Sequence, residues 1–557
     1  MSSITDALGL RFKQWFSLGP LGVPIFVLPI DKFHETMGLL KNDYSFIMLI
    51  DIAGVDNLKR PKNEWPHGKR FEAVYHLLNM EIHQRIMVKV PVSENDSIPT
   101  LTNIWKGADW YEREVWDLMG IQFIGNSSIP GRLFNHHQFI GHSLRKDYSL
   151  DKSYPLSFTE DISLQVSGTD RSTHRYWTDL GPVHPVFHGV RLVLELEGEI
   201  IRQSRLEVGY QHRAMEKIFE SRYYSQISSL VSHLNFYTAP VDEMAFCQTL
   251  EMIMKIEIPD RAKALRMLLA ELVRISSHLL CIGQTAYALG DMANFLFCLQ
   301  ERELISNLLE RVGGARDGSN LMRIGGMVCD LPRGWVSYCL ETIKKLSKDI
   351  EELDKTLTRS QIWVDRNQNC PISAADAIEW GLTGPTLRAC GVNYDLRKVS
   401  SYYFYADVDF EIPLGIDGDG YDRYLVRLEE IRQSSKIINQ ILDYLPTGPV
   451  IIPGSQTTLP AKAEVYTQKE AKEKHFNFFQ EGIVCPVGEA YSVFESPNGE
   501  LGFYLISSGD AQPYRLKIRS PSFPIFQAYP SVIKDSGLTD ALAAFSSLSA
   551  LSGEVDR

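Results

Sequence analysis

The chain has 557 residues, a formal net charge of -12, and 44% hydrophobic and 23% charged residues, the make-up of a globular protein long enough for several domains. Its acidic balance, with no long basic block, argues against nucleic acid as the principal ligand. No run of about 18 consecutive apolar residues occurs, so nothing in the sequence should span a bilayer as a helix.

The stretch MSSITDALGLRFKQWF lacks the basic start and continuous apolar core of a signal peptide. Its Leu8, Phe12, Trp15 and Phe16 read as one face of a short amphipathic helix opening a folded domain. Phe46–Ile52 reads as a strand, and Ala73–Leu78 and Gln84–Val90 as two more around a turn containing Asn79. Ile104, Trp105, Trp110, Val115, Leu118 and Met119 recur near helical spacing, so Thr102–Gly120 reads as a helix ended by Gly120. Residues 1–156 are therefore expected to form a small α/β domain, and the polar, aperiodic residues 157–173 a linker.

The larger unit, 174–557, opens with alternating Val190, Leu192, Leu194 and Leu196, turns at Glu197-Gly198-Glu199 and returns along Ile200–Val208. After Gly209 the period becomes helical. Arg261–Leu289, Asn294–Val312 and Trp335–Leu357 carry apolar stripes that must be buried against one another in a bundle. The C-terminal part reads as a return to strands: Glu489–Phe494 and Leu501–Ser507 flank the turn Ser496-Pro497-Asn498-Gly499, and Tyr514–Arg519 alternates. The fold class is α+β and multidomain, with a helical-bundle core and flanking β-sheets in the second unit.

Two segments could carry chemistry. In Gly181-Pro182-Val183-His184-Pro185-Val186-Phe187-His188-Gly189 two histidines lie in a loop stiffened by proline and glycine, where they could donate a hydrogen bond or a proton; satisfied structural histidines are the plainer reading. Gly209-Tyr210-Gln211-His212-Arg213-Ala214-Met215-Glu216-Lys217 reads as a helix start, with Arg213 a fixed cation or simply a solvated one. Gly141–Asp147 and Arg515–Arg519 are basic runs read as partner contacts or internal salt bridges. Asp417–Tyr421 lacks the spacing of a calcium loop. The eight cysteines form no CxxC pair, which excludes a self-contained iron–sulfur site of the usual spacings and suggests reduced, mostly buried thiols. Nucleotide-cradling loops and nucleophile elbows are lacking too.

Several long motifs occur in order. Asp109–Ile121 (DWYEREVWDLMGI) and Phe139–Tyr148 (FIGHSLRKDY) resemble the C, or 30-kDa-type, subunit of bacterial NADH–quinone oxidoreductase, respiratory complex I. GPVHPVFHG, GYQHRAMEK, Gly313–Gly326 (GGARDGSNLMRIGG), Glu500–Phe523 and the ending Gly553-Glu554-Val555-Asp556-Arg557 resemble its D, or 49-kDa-type, subunit. The resemblance covers nearly the whole chain and points to a fused C/D subunit. It implies a second domain like the large subunit of nickel–iron hydrogenases. The cysteine pairs that hold that metal would fall at Asn235 and Thr238 and at Leu551 and Glu554, so the metal ligands are lacking.

What the resemblance implies about function is specific. The chain binds no cofactor of its own. With an iron–sulfur B-type subunit it shapes a cavity in which a quinone such as ubiquinone is reduced. NADH, FMN and further clusters sit on E/F/G-type and I-type subunits, a membrane H-type subunit lies beneath, and the reaction drives ion translocation. The place implied is peripheral, at the cytoplasmic face of the bacterial inner membrane. His188, with His184 beside it, corresponds to the family's headgroup histidine, and Arg213 to its cluster-proximal arginine. Other positions depart: the headgroup tyrosine falls at Phe236, with Tyr237 adjacent; the histidine's aspartate falls at Ala288, with Asp291 further on; a cluster-side arginine falls at His233 and a histidine at Gly318. Phenylalanine removes a hydroxyl donor, and losing the carboxylate lowers the stability of a histidine cation. Either Tyr237 and Asp291 rebuild the site, or the chain is a scaffold of a complex I-like assembly with another acceptor or no quinone turnover. A third reading, an independent soluble enzyme, lacks any redox cofactor site in the sequence.

Overall fold

Apolar runs near the N-terminus form a five-stranded sheet, seen in a computed structural model that describes residues 11, 13–19, 22–60, 68–149, 175–453 and 457–557. Its strands are β1 (Phe16–Leu18), β2 (Pro24–Val27), β3 (Met48–Asp56), β4 (Phe71–Asn79) and β5 (Gln84–Val92). The order is β1-β2-β5-β4-β3, with β2 and β5 parallel and the other pairs antiparallel. The Ile30–Asn42 helix buries Phe33, Met37 and Leu40 and places the Phe33 ring 4.9 Å from Tyr75. The Ala108–Met119 helix lies so close to β3 that a Cβ on Gly54 would stand 2.8 Å from Met119 Cγ. β3 and β4 are buried along their whole length, as strands covered on both faces must be.

The second unit opens on an antiparallel sheet of Arg175–Leu180, Arg191–Glu197 and Ile200–Glu207. Around the Asp260–Ala288 helix pack Ala239–Met254, Met292–Gly313, Gly420–Asp443 and Leu538–Leu548. Nearly every residue of the 29-residue Asp260–Ala288 helix is buried, which marks it as the bundle's axis. An antiparallel sheet of Gly488–Ser496, Gly499–Ser507 and Arg515–Arg519 follows.

This last sheet closes the seam with the first. β3 is an edge strand, and its carbonyls need donors. Arg515 Nε reaches Gly54 O at 3.0 Å and Arg519 Nε reaches Ile50 O at 3.4 Å. Arg85 pairs with Glu500 at 2.5 Å, Lys89 with Glu489 at 2.7 Å and Lys517 with Glu114 at 2.5 Å. Phe134, Phe187, Phe523 and Phe545 share one buried cluster. N- and C-terminal segments thus fold around a common core.

Several expectations need correction. Phe16 opens a strand rather than continuing a helix, while Leu8 and Phe12 lie outside the described residues, as does the expected linker 157–173. The helix expected from Thr102 starts at Ala108; Trp105 packs in the turn before it, and Gly120 caps the helix at φ 79°. The C-terminal part is not chiefly strand: it also holds the helices Lys469–Gln480, Ser522–Val532 and Leu538–Leu548. The basic runs form internal pairs: Lys146 with Glu220, Arg145 with Glu94, Arg515 with Glu216. Asp419, from the calcium-like run, caps the Gly420–Asp443 helix. The cysteines are free, and all are buried except the half-buried Cys329.

Candidate functional site

The loop 181–189 is held by its own residues. The His184 Nδ1 accepts the N–H groups of Val186 and Phe187 at 3.2 and 3.3 Å, and the buried Phe187 ring lies 4.6 Å from Phe545. With Phe187 anchored inward, His188 projects outward and is exposed. Gly189 has φ 77°, and a Cβ there would stand 2.5 Å from Ser552 Oγ and 2.6 Å from Gln211 Nε2; only glycine fits so close an approach in the left-handed region.

The loop 209–214 is tied to the C-terminal segment. Asp556 accepts Gly209 N at 2.9 Å and Gln211 N at 2.8 Å, and its backbone carbonyl lies 2.6 Å from His212 Nδ1. Burial, outweighing these hydrogen bonds, pushes the Asp556 carboxyl up to about 6. Arg213 extends from this loop and donates to His233 O at 2.9 Å. The next segment is fixed by Asn235, whose Oδ1 accepts Tyr237 N at 3.1 Å and whose own N–H reaches Asp242 at 3.1 Å. Phe236 and Tyr237 have ring centroids 4.1 Å apart, and the Arg302 guanidinium lies 5.0 Å from the Tyr237 ring, a cation–π distance. Burial raises the Tyr237 hydroxyl above its ordinary value, against the opposing charge of Arg302.

These segments enclose a cavity of about 600 Å³, backed by the C-terminal half of the Asp260–Ala288 helix and by residues 545–553. His188, Arg213, His233, Phe236 and Tyr237 all line it. His184 and Asp291 are not on its wall: His184 locks its own loop, and the Asp291 carboxylate caps the Met292–Gly313 helix through Asn294 N at 3.1 Å and Asn294 Nδ2 at 2.6 Å. Asp291 therefore caps its own helix and presents no carboxylate to the cavity. Gly318 is off the wall as well, packed on Pro240 and Leu309. Sequence reasoning missed Gln284, Tyr287, Ser546 and Ser549, which line the cavity. On the Asp260–Ala288 helix the signal was present, since Ser277, Leu280, Gln284 and Tyr287 recur at three- and four-residue spacing, but that stripe reads as one face among several on a helix buried over most of its length.

Electrostatically the wall is one-sided: Arg213, His188, His212 and His233 line it, and no carboxylate does. Beneath it burial holds Glu554 up to about 7 and Asp242 well above its ordinary value, each raised first by desolvation. Among the described residues, no group of three or more His, Cys, Asp or Glu is arranged to hold a metal ion, and no helix is long and apolar enough to cross a membrane.

Comparison with known proteins finds relatives along nearly the whole chain. Residues 26–154 match the family of the respiratory-chain NADH dehydrogenase 30 kDa subunit, and residues 288–557 that of the 49 kDa subunit. The chain is 40% identical over 546 residues to the C/D subunit of NADH-quinone oxidoreductase from Bdellovibrio bacteriovorus, covering 96% of both chains. It is 35% identical over 558 residues to the C/D subunit from Pseudomonas fluorescens, covering 96% of this chain and 93% of that one. To the separate D subunit from Myxococcus xanthus it is 41% identical over 387 residues, covering 69% of this chain and 93% of that one. The chain belongs to the C/D subunit family of NADH-quinone oxidoreductase, uniting the 30 kDa and 49 kDa subunits of respiratory complex I in one polypeptide.

Proposed function

We propose that the 600 Å³ cavity receives a quinone headgroup and that this chain forms one wall of the quinone-reduction chamber of its complex. The observation that carries the reading is the wall itself, with three histidines and an arginine, no carboxylate, and aromatic faces from Phe236, Tyr237 and Tyr287. A quinone gains negative charge on oxygen as it is reduced, and fixed donors aimed at that charge lower the barrier. His188 is the donor we assign to one headgroup oxygen. His184 acts through it as a positioning residue, holding the loop by its Nδ1. Arg213 and His233 face the electron-delivering side. Tyr237, next to Phe236 in the chain and on the same wall, is the candidate for the hydroxyl that Phe236 lacks.

In this reading the chain holds no metal or redox group. Asn235, Thr238, Leu551 and Glu554 stand where a hydrogenase-like domain would place thiolates, and those side chains do not suit a nickel–iron centre. Electrons come from an iron–sulfur cluster on a B-type neighbour, fed from NADH through FMN and clusters on E/F/G-type and I-type subunits. Residues 1–156 act as the C-type unit and 174–557 as the D-type unit. The assembly sits peripherally on the cytoplasmic face of the inner membrane against an H-type subunit, and reduction is coupled to ion translocation.

The test is NADH–quinone activity of the purified complex with and without His188→Ala. A loss of about 10²-fold is expected, with assembly intact. A specific feature favours the rival scaffold reading: Phe236 brings no hydroxyl to the wall, and Asp291 brings His188 no carboxylate. Under that reading the complex has no inhibitor-sensitive quinone activity, and His188→Ala changes nothing.

A further inference from the structure

The large cavity has a shallow side and a deep side. On its wall Tyr210 and Phe236 are each 51% exposed, whereas Ser277 and Asn498 are each only 4% exposed. Ser277 belongs to the Asp260–Ala288 helix. Asn498 is the second residue of the two-residue turn that joins the Gly488–Ser496 and Gly499–Ser507 strands.

This turn is held from two sides. Arg274, one turn before Ser277 on the same helix, donates to Glu495 O at 2.7 Å and to Ser496 O at 3.4 Å. Opposite, the turn packs on Thr383 and Gly384: a Cβ on Gly384 would stand 2.4 Å from Gly499 Cα, and Glu500 N donates to Thr383 Oγ1 at 2.9 Å. Helix and turn are thus fixed to one another, and both reach the deep wall. A ligand-contacting group placed on such a support needs little ordering when the ligand arrives.

The two side chains differ from their neighbours on the wall in being unused. Ser546 Oγ donates to Leu542 O at 3.2 Å and Ser552 Oγ to His188 O at 2.9 Å. Among the described residues the Asn498 amide and the Ser277 hydroxyl make no hydrogen bond. Asn498 Oδ1 is closed off from solvent, so the NH2 is the part of the amide left to the cavity. A buried polar group without a partner is costly and calls for one. Both groups are neutral: they hold an oxygen by hydrogen bonds and have no proton to release near neutral pH.

We propose that Asn498 and Ser277 form a second hydrogen-bonding subsite, which takes the quinone oxygen lying away from His188. The inference rests on the quinone reading above. The Asn498 NH2 donates to that oxygen. The Ser277 hydroxyl, both donor and acceptor, bonds the carbonyl of the quinone and the O–H of the quinol. His188 meets the developing charge at one end of the ring, and this subsite orients the ring from the other.

Steady-state kinetics of the purified complex with a short-chain quinone tests this. Asn498→Leu, similar in volume but without a donor, should raise the KM about tenfold, with kcat changed less and the shape of its pH profile kept. Asn498→Asp preserves the shape of the side chain and the turn, yet offers no donor, and should raise the KM at least as far. Ser277→Ala should raise it severalfold. NADH oxidation by ferricyanide, which does not use the cavity, reports that the assembly is intact in each variant. Since the amide bonds nothing in the protein, Asn498→Leu should not lower the thermal transition of the full-length chain, as loss of a purely structural contact would. An unchanged KM in both Asn498 variants, in a complex that His188→Ala inactivates, overturns the subsite and leaves the cavity reading standing. If His188→Ala is without effect as well, both fall.

Discussion

The Ser552 hydroxyl donates to the backbone carbonyl of His188 at 2.9 Å, and its Oγ lies 3.0 Å from Gln211 Oε1. Residues 364 positions apart are thus held together at the rim of the cavity, and the C-terminal segment sets where the histidine loop stands.

Ser552→Ala should therefore loosen the His188 loop without unfolding the chain. One hydrogen bond of this kind contributes about 1 kcal/mol. The expected outcome is a several-fold higher KM for quinone in the assembled complex, with kcat changed less. Steady-state kinetics on purified complex would check it; an unchanged KM would detach Ser552 from the site.

The seam between the two family units predicts a larger effect. Glu114 accepts from Lys517 at 2.5 Å and from Arg557 at 2.8 Å, all three nearly inaccessible to solvent. Glu114→Ala takes the closest carboxylate from Lys517 and one of two from Arg557, leaving both to share Glu216 at 3.8 and 3.1 Å, a loss of about 3 kcal/mol. Urea unfolding of the full-length chain should show that loss, and Glu114→Gln, which keeps one acceptor oxygen, should lose less.

Much of the fold was legible because period carries through to burial. The stripes on Arg261–Leu289, Asn294–Val312 and Trp335–Leu357 became helices within two residues of those bounds, and Ser496-Pro497-Asn498-Gly499 became the tight turn between two strands. The Leu538–Leu548 helix was not legible. Its run is only 11 residues long, too short for its period to stand out, and it packs on the Asp260–Ala288 helix. The same limit applies to the site. His188, Arg213, His233, Phe236 and Tyr237 converge on one cavity; Asp291, just ahead of a helix, carries an ordinary capping signal, but nothing in local sequence shows that His184 would bind its own loop.

Buried carboxyls predict an unusual pH response. Burial raises Glu554 to about 7 and Asp51 and Asp556 to about 6. Each holds its proton longer in the fold than in the unfolded chain. Their contribution is complete below the ordinary carboxylate range and is lost as pH climbs through these raised values. Glu216 has the opposite sign: burial favours its neutral form, but Arg515, Lys517 and Arg557 hold it low, so its contribution is lost only in strong acid. Thermal stability of the full-length chain should fall between about pH 5 and pH 8, and Glu554→Gln should flatten that slope. A slope unaltered by the substitution would mean that Glu554 is already ionised in this range.

The central claim is that a quinone headgroup sits against the wall formed by His188, Phe236 and Tyr237. The most direct measurement is photolabelling of the intact complex with a quinone carrying a photoreactive headgroup, followed by mapping of the modified residues. Label concentrated on the 185–188 and 233–237 segments, and displaced by excess quinone, is the predicted result. Label that leaves both segments untouched, in a complex that still reduces quinone, would contradict it.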